Sequence, residues 1–346
     1  MMIVLVLAAL ILALGWAFDV PWRVRGAALG ALWGFVVLAQ LVLPQGNGLR
    51  DAMGGSVAPW LLLAGAVALV LAYRVVLLKL RERAQPEAEP EAKKPLFSET
   101  ELDRYARHIV LREVGGPGQK RLKQAKVLVL GAGGLGAPAL QYLAAAGVGT
   151  IGVIDDDVVE NSNLQRQVIH TEDRIGMPKV FSAEVAMLAQ NPHVAVKPYH
   201  RKFDAAIAQD LVAEYDIVLD GTDNFATRYL ANEACAAVGK PLVSGALSQW
   251  EGQLSVFDPA HGAPCYRCVF PEEPAEGLAP SCAVAGVIGT LPGVVGAMMA
   301  NEAIKIITGA GAALRGEMLI YDGLWAETRK MRVKRRDDCP VCGTRG

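Results

Sequence analysis

Long uncharged segments dominate the first third of the chain, at residues 1–18, 26–43 and 54–73. At a rise of about 1.5 Å per residue, each is about long enough to cross a hydrocarbon layer of roughly 30 Å. Trp16, Trp22 and Trp60 lie near the ends of these segments, where indole rings favour a membrane interface. The pattern predicts about three transmembrane helices within residues 1–80.

Two other interpretations of these segments are weaker. A signal peptide begins with basic residues, and Met1, Met2 and Ile3 supply none. Buried core helices are the second alternative, but soluble folds rarely contain three such segments in succession. We therefore expect an integral membrane region.

Basic residues predict the orientation of that region. The first connection holds Arg23 and Arg25, and a larger basic group follows the third segment: Arg74, Lys79, Arg81 and Arg83. The positive-inside rule then places the amino terminus outside and residues 98–346 in the cytoplasm. We expect a multi-pass protein of the inner (cytoplasmic) membrane, in which residues 81–97, rich in Pro and Glu, form an extended linker.

The remaining residues predict an α/β domain, residues 98–346. Ser98 and Glu101 form the pattern of a capping box at a helix start. Lys126–Leu130 and Thr150–Ile154 are short apolar runs typical of buried parallel strands, and Ala137–Ala145 supplies good helix formers between them. This strand–helix–strand order predicts a Rossmann-like nucleotide-binding unit.

Glycines and one acidic residue mark the nucleotide site of that unit. Gly131, Gly133 and Gly136 fit G-x-G-x-x-G, which lets the backbone turn tightly and approach phosphate at a helix amino terminus. Asp155 follows the second strand, where a carboxylate accepts hydrogen bonds from ribose hydroxyls. These features alone are equally compatible with an NAD-dependent oxidoreductase.

Charged residues further along the chain favour a nucleoside triphosphate over NAD. Arg166 and Lys179 follow the acidic strand end, and two cations suit a triphosphate whose charge must be neutralised during attack. The run Asp216–Asp220 predicts another strand. Asp223 comes after its end, where a carboxylate can hold Mg²⁺.

The carboxy-terminal region predicts a core helix and two late strands. Pro292–Thr308 is apolar, but its charged positions favour a core helix over a fourth membrane span. Glu317–Tyr321 and Thr328–Val333 have the composition of strands, which we expect to be antiparallel. The predicted sheet is thus mostly parallel with antiparallel strands at its carboxy-terminal end.

Four of the six cysteines form two C-x-x-C pairs: Cys265, Cys268, Cys339 and Cys342. This spacing predicts a structural Cys₄ zinc site, and two separate redox dithiols are the alternative. Cys235 lies in an alanine-rich helical run and is expected to be a packing residue. The five histidines lack the spacing of metal ligands, and the net charge of −1 gives no reason to expect nucleic acid as a partner.

Several motifs together resemble one family, in this order: Gly131-Ala-Gly-Gly-Leu-Gly, Asp155-x-Asp, Ser162-Asn-Leu-Gln-Arg-Gln, Pro178-Lys179, Thr222-Asp-Asn and the two C-x-x-C pairs. They resemble the MoeB/ThiF (HesA) branch of the ubiquitin-activating enzyme superfamily. The resemblance runs from about Ser98 to Cys342 and does not cover residues 1–97.

The resemblance implies ATP- and Mg²⁺-dependent adenylation of the carboxy-terminal glycine of a ubiquitin-like sulfur carrier such as MoaD or ThiS, with release of pyrophosphate. It implies that Asn163, Arg166 and Lys179 contact the phosphates and that Asp223 holds Mg²⁺ or orients the reacting phosphate. The other implied nucleotide-binding residues are Gly131, Gly133, Gly134, Gly136, Asp155, Asp157, Ser162, Leu164, Gln165 and Asn224.

Two further residues gain roles from the resemblance. Arg107 matches an arginine that reaches across a homodimer into the partner's site, and Cys282 matches a cysteine that in some relatives receives the activated acyl group. For Cys282 a small buried thiol without a covalent role remains the alternative. No rhodanese-like domain follows the motifs, so we expect a separate protein as sulfur donor.

Two alternative functions stay open at this point. One is a dehydratase of the same superfamily, which activates a small carboxylate on tRNA. The other is a membrane scaffold that binds nucleotide without turnover. The sequence also leaves open whether the product serves molybdopterin or thiamin biosynthesis.

Overall fold

The computed structural model describes residues 2–84, 96–274 and 285–343. The chain divides into two compact units, residues 1–94 and 95–346. Each unit has its own buried apolar cluster, and each is described by itself below.

The first unit is helical throughout its apolar segments, with α1 Met2–Ala17, α2 Trp22–Val42, α3 Gly48–Ala52 and α4 Ala58–Ala84. Two of its helices, at Trp22–Val42 and Ala58–Arg81, are long and apolar enough to cross a membrane. The first apolar segment forms a helix of only 16 residues, because a turn at Asp19, where φ is +48°, and Pro21 separate it from α2. The described residues therefore contain two candidate spans, fewer than the three predicted.

Indole side chains connect the helices of this unit. The Trp33 Nε1–H donates to the carbonyl oxygen of Trp60 at 3.1 Å, and the Trp60 Nε1–H donates to that of Met53 at 3.1 Å. Gln40 is buried and donates to the carbonyl oxygen of Arg50 at 2.9 Å. These bonds join α2 both to α3 and to the start of α4, and they pair polar groups that an apolar environment would otherwise leave without partners.

The second unit contains one eight-stranded sheet of order β3-β2-β1-β4-β5-β6-β7-β8. The strands are β1 Lys126–Leu130, β2 Thr150–Ile154, β3 Ala195–Tyr199, β4 Ile217–Asp220, β5 Leu242–Leu247, β6 Glu251–Phe257, β7 Glu317–Asp322 and β8 Glu327–Arg332. The first five pair in parallel and the last three pair antiparallel. The α/β sheet thus has the mixed character predicted.

Helices surround this sheet: α5 Glu99–Arg104, α6 Ala106–Ile109, α7 Gly115–Gln124, α8 Gly136–Ala146, α9 Lys179–Gln190, α10 Ala208–Ala213, α11 Phe225–Val238, α12 Tyr266–Val269 and α13 Thr290–Thr308. Ser98 and Glu101 form the predicted capping box at the start of α5. Pro198 lies in β3, at the sheet edge, where a residue without an N–H is tolerated.

The helix α13 is a core helix, as predicted. It buries Leu291, Val295 and Met299, and it packs against α8, β5 and β6. Gly296 allows close contact between α13 and the start of α8. A Cβ at this position would lie only 2.4 Å from the carbonyl oxygen of Leu135. This packing places the start of α13 beside the loop that connects β1 to α8.

Candidate functional site

A cavity of about 790 Å³ lies where β1, β2 and β4 end. Parallel strands bring the loops that follow them to one edge of a sheet, so distant parts of the sequence meet there. Of the predicted site residues, the following line the cavity: Gly131, Gly133, Gly134, Asp155, Asp157, Arg166, Lys179, Asp223 and Asn224. The same edge also brings in Arg201, Lys202 and Phe203, which follow β3.

The glycine loop between β1 and α8 needs its glycines for two separate reasons. Gly131 has φ of +89°, which side-chain-bearing residues rarely adopt. A Cβ at Gly136 would lie 1.9 Å from the carbonyl oxygen of Gly131, so only glycine lets the helix start so close to the strand. Gly136 is buried and shapes the loop from behind, whereas Gly133 and Gly134 line the cavity.

Asp155 holds the glycine loop from the end of β2. Its Oδ2 accepts the Ala132 N–H at 2.7 Å, and its Oδ1 accepts the Asp157 N–H at 2.8 Å. Burial raises the pKa of Asp155, while the positive charge of Lys179 and the two backbone donors oppose that rise. The Asp155 carboxylate therefore lies near the positive charge of Lys179, next to the glycine loop.

Lys179 is the cation in question and is the first residue of α9. The residue is buried, and its Nζ lies 2.7 Å from Asp157 Oδ2, whose side chain is 67% exposed. The Lys179 N–H also donates to the carbonyl oxygen of Asp157 at 2.9 Å. Because one partner is exposed, a polyanionic ligand can compete with it for the ammonium group.

The segment that follows β2 turns only some of its predicted residues toward the cavity. Arg166 lines the cavity, with its Nη1 donating to the carbonyl oxygen of Ser162 at 3.0 Å. Asn163 is buried, and its Oδ1 accepts the Glu160 N–H at 3.2 Å. Ser162, Asn163, Leu164 and Gln165 are absent from the described lining of the cavity, whereas Gln167, not predicted as a site residue, belongs to it.

A buried charge network supports the turn after β4. Asp220 is fully buried, and its Oδ1 accepts both the N–H of Thr222 at 3.1 Å and its hydroxyl at 2.6 Å. Ser244 donates to Asp220 Oδ2 at 3.0 Å, and Arg228 Nη1 lies 3.5 Å from the same oxygen. Arg228 also donates to the Thr222 carbonyl oxygen. The network fixes the turn from which Asp223 projects.

This network was missed in the sequence because its members come from β4, α11 and β5. The one available signal was Asp220, a carboxylate inside an otherwise apolar strand, which had to find partners. Asp223 itself is exposed and pairs with no side chain in the described part of the chain, so its carboxylate is free for a cation. Asn224 lines the cavity and also caps α11, accepting the Thr227 N–H at 2.9 Å.

His170 supports the glycine loop from below. Its Nε2–H donates to the carbonyl oxygen of Ala132 at 2.9 Å, which leaves Nδ1 to accept the Ser182 hydroxyl at 2.9 Å. Both bonds fit the neutral ring. Burial lowers the pKa of His170; its bond to Ala132 opposes that shift, and the charges of Lys179 and Arg174 add to it.

Acidification should therefore weaken the second unit through His170. The unfolded ring titrates near a pKa of about 6.5 and the folded ring titrates lower, so stability present above about pH 6.5 is lost as pH falls toward the folded-state pKa. We expect the free energy of unfolding of residues 95–346 to fall from about pH 7.5 to about pH 5.5 in urea titrations. His170→Gln should remove part of that slope, and the surface variant His200→Gln should not. An equal slope in all three proteins would contradict this role.

Two predicted catalytic residues are not found in the described lining of the cavity. Arg107 is exposed on α6 and is not part of the described lining of its own chain's cavity. Cys282 lies outside the described residues. Cys235 lies within α11 on its buried side, and burial raises the pKa of its thiol. This agrees with the packing role predicted for it.

The four paired cysteines meet at a second location, away from the cavity. Their Sγ atoms all lie within 4.8 Å of one another, with separations of 3.8 Å for Cys265–Cys268, 3.6 Å for Cys265–Cys339 and 3.3 Å for Cys268–Cys342. These exceed a disulfide length of about 2.05 Å. They approach the roughly 3.8 Å that tetrahedral zinc with bonds of about 2.3 Å requires. The donor set and spacing fit one such ion.

Comparison with known proteins identifies the second unit. The model of the ThiF family matches residues 105–341. "Sulfur carrier protein adenylyltransferase" from Thermus thermophilus is 51% identical over 251 residues, which cover 71% of this chain and 93% of that protein. "SAMP-activating enzyme E1" from Haloferax volcanii is 50% identical over 247 residues, covering 71% of this chain and 91% of that protein. "Adenylyltransferase and sulfurtransferase MOCS3" from Mus musculus is 47% identical, and this chain spans 60% of its length.

Solved structures show the same fold. A crystal structure of E. coli MccB with ATP superposes with a TM-score of 0.61 at 25% identity, covering 70% of this chain and 74% of that one. A second, of MccB with AMPCPP and MccA, gives a TM-score of 0.62 at 25% identity, covering 69% and 74%. The family model spans most of the chain, and the Thermus and Haloferax relatives are matched over 93% and 91% of their own length, so this chain belongs to the ThiF family.

Proposed function

We propose that this chain is an ATP-dependent adenylyltransferase that activates the carboxy-terminal glycine of a ubiquitin-like sulfur carrier. The observation that carries the proposal is the convergence of Arg166, Lys179 and Asp223 on a glycine loop in one cavity. The Thermus relative, named for this activity, matches at 51% identity over 93% of its own length. A nicotinamide enzyme has no comparable need for two cations beside its glycine loop.

The reaction requires charge neutralisation more than proton transfer. An oxygen of the carrier's carboxylate forms a bond to the α-phosphorus of ATP, and the bond from that phosphorus to the bridging oxygen breaks. The electron pair leaves with pyrophosphate, so no general base is needed. Both reactants are anions, and the chain's task is to align them and to supply positive charge, for which Arg166 and Lys179 are suited.

The remaining cavity residues fit the binding of the nucleotide. Gly131, Gly133 and Gly134 leave room for phosphate beside the first turn of α8, whose backbone N–H groups face an anion favourably. Asp155, at the end of β2, would accept a hydrogen bond from a ribose hydroxyl, as carboxylates at that position of such folds do. Asp223 would hold Mg²⁺ together with phosphate oxygens, since its carboxylate has no competing partner among the described side chains.

Zinc is proposed as a structural ion at the four cysteines. Four thiolate ligands leave no open position for a reactant, so the ion would tie the segment after β8 to α12 and take no part in the reaction. Without such an ion, four thiols would be packed against one another with no stronger interaction than weak S–H contacts.

A homodimer is proposed because Arg107 belongs to no site among the described residues of its own chain. Arg107 is exposed on α6 and lies outside the described lining of the cavity, as an arginine acting on a partner subunit's site would. Exposed apolar neighbours, Val110 at 76% and Leu111 at 49%, provide surface that a second copy could cover.

We also propose that residues 1–84 anchor the enzyme in the inner membrane with the second unit in the cytoplasm. Trp22–Val42 and Ala58–Arg81 have the required length and composition, and their apolar side chains are largely exposed. Arg74, Lys79 and Arg81 lie toward the end of α4, on the side expected to be cytoplasmic.

Pyrophosphate exchange tests the proposed activity. We expect the full-length chain in detergent to incorporate radiolabelled pyrophosphate into ATP in the presence of a carrier ending in Gly-Gly. A carrier lacking the last glycine should support no exchange, because the attacking carboxylate would be misplaced. Absence of exchange with every carrier tried would refute the proposal; binding of tRNA would then favour the dehydratase, and ATP binding alone would favour the scaffold.

A further inference from the structure

The Gln167 side chain is buried and has no hydrogen-bond partner among the residues that the structure describes. The residue is 4% exposed; its Oε1 is buried and unpaired, and its Nε2, which is not fully buried, donates to no described residue. A second buried amide of this unit, that of Asn232, accepts the Tyr266 N–H at 2.7 Å; its Nδ2 is also unpaired among the described residues, but Asn232 is not part of the described lining of the cavity. Buried side-chain amides are normally paired, so an unpaired one at a cavity wall points to a ligand.

The backbone holds Gln167 rigidly in this position. Its N–H donates to the carbonyl oxygen of Asn163 at 2.9 Å, and its own carbonyl oxygen accepts the His170 N–H at 3.0 Å. The side chain therefore extends from a fixed turn, with little freedom to find another partner.

The amide nitrogen faces the glycine loop. Nε2 lies 3.8 Å from where a Cβ at Gly133 would stand, and both Gly133 and Gln167 line the cavity. Arg166 precedes Gln167 in the chain, and its Cδ lies 3.9 Å from the corresponding position at Gly134. An amide donor and an arginine thus approach the same loop from neighbouring positions of one turn.

We propose that Gln167 is a catalytic residue whose Nε2–H donates to a non-bridging oxygen of the phosphoryl group under attack. This rests on the proposed adenylation, and it names a contact of that same site. As the carboxylate–phosphorus bond forms and the bond to the pyrophosphate oxygen breaks, negative charge grows on the non-bridging oxygens. A hydrogen bond from a fixed donor to one of these oxygens is therefore stronger in the transition state than in the ground state.

A neutral donor also complements the two cations beside it. Arg166 and Lys179 suit the pyrophosphate that departs, whereas the adenylate that stays keeps only one negative charge on its phosphate. An amide can hold that group through both states without the tight ion pairing that would slow its release.

Nucleotide binding gives the first test, with the full-length chain in detergent. Gln167→Glu places a carboxylate against phosphate, so we expect its affinity for ATP to fall at least about 10-fold while its affinity for adenosine stays within about 2-fold. Gln190→Glu, the same change on the exposed end of α9, should alter neither affinity. An unchanged affinity of Gln167→Glu for ATP, or equal losses for ATP and adenosine, would overturn the proposal.

Exchange kinetics give the second test. Gln167→Ala should lower kcat for carrier-dependent pyrophosphate exchange by about 10- to 100-fold with KM for ATP changed less than about 3-fold. A loss confined to KM, or no loss, would overturn the transition-state role. If the wild-type chain shows no exchange with any carrier, the proposed adenylation fails, and the comparison of ATP with adenosine still decides whether Gln167 faces phosphate.

Discussion

Replacing Lys179 with alanine is expected to lower carrier-dependent pyrophosphate exchange by about 100- to 1,000-fold, or about 2.7–4 kcal/mol of transition-state stabilisation. The ammonium group of Lys179 is buried at the start of α9, and the residue lines the cavity. Its partner, Asp157, is largely exposed. A ligand phosphate can replace that partner, and the charge then acts where water is scarce.

The fold should survive this substitution. Removing one member of a fully buried ion pair strands the other charge, but Asp157 can be solvated when Lys179 is lost, since its side chain is 67% exposed. We expect the melting temperature of Lys179→Ala to change by only a few degrees.

Lys197→Ala serves as a matched control. Lys197 pairs with Glu214 at 3.6 Å on the surface, outside the described lining of the cavity. Its loss should leave exchange unchanged, because exposed ion pairs contribute little. Wild-type exchange in Lys179→Ala would contradict the assignment, and unfolding of the variant would indicate a structural role.

The part of the site built from one continuous stretch could be predicted from the sequence. From β1 to Asp155, each element follows the last along the chain, so the glycine pattern and the strand ends describe a single local unit. The set of four cysteines could also be predicted, because C-x-x-C spacing indicates metal ligands regardless of where the two pairs lie in the sequence.

Side-chain direction within a turn could not be predicted. The segment 161–167 contains amides at several positions, and sequence alone gives no period to tell which face the cavity. In the structure Asn163 turns inward to bond with Glu160, whereas Gln167 and Arg166 reach the cavity. A short 3₁₀ turn at Asn161–Asn163 sets that difference.

Contacts between distant elements escaped prediction for a related reason. Asp220, Arg228 and Ser244 come from β4, α11 and β5, and only the strand order brings them together.

The first apolar segment was overestimated because uncharged composition extends to Phe18, whereas the helix ends at Ala17 after 16 residues. Composition gives the extent of an apolar run, but turn geometry gives the length of its helix.

Loss of zinc is expected to have the largest effect on stability. We expect the purified chain to contain one zinc ion, and Cys339→Ser to lose it. Structural zinc contributes on the order of 10 kcal/mol in small zinc domains. Losing even about 4 kcal/mol would lower the melting temperature by roughly 8–16 °C in a domain of this size.

The reason for so large an effect is where the ligands lie. Cys265 directly precedes α12 and Cys268 lies within it, whereas Cys339 and Cys342 follow β8, the last described strand. One ion would therefore close a loop of about 70 residues between the pairs, and it would fix a terminal segment that has little apolar surface of its own.

Cys235→Ala is the control for this measurement. Cys235 is as buried as the four ligands but lies within α11 and packs in the core, so its loss should cost packing energy and leave the zinc content at one. Zinc content would be measured by elemental analysis and stability by thermal unfolding, with and without a chelator. A metal-free wild-type chain whose melting temperature equals that of Cys339→Ser would show that the four thiols pack without an ion.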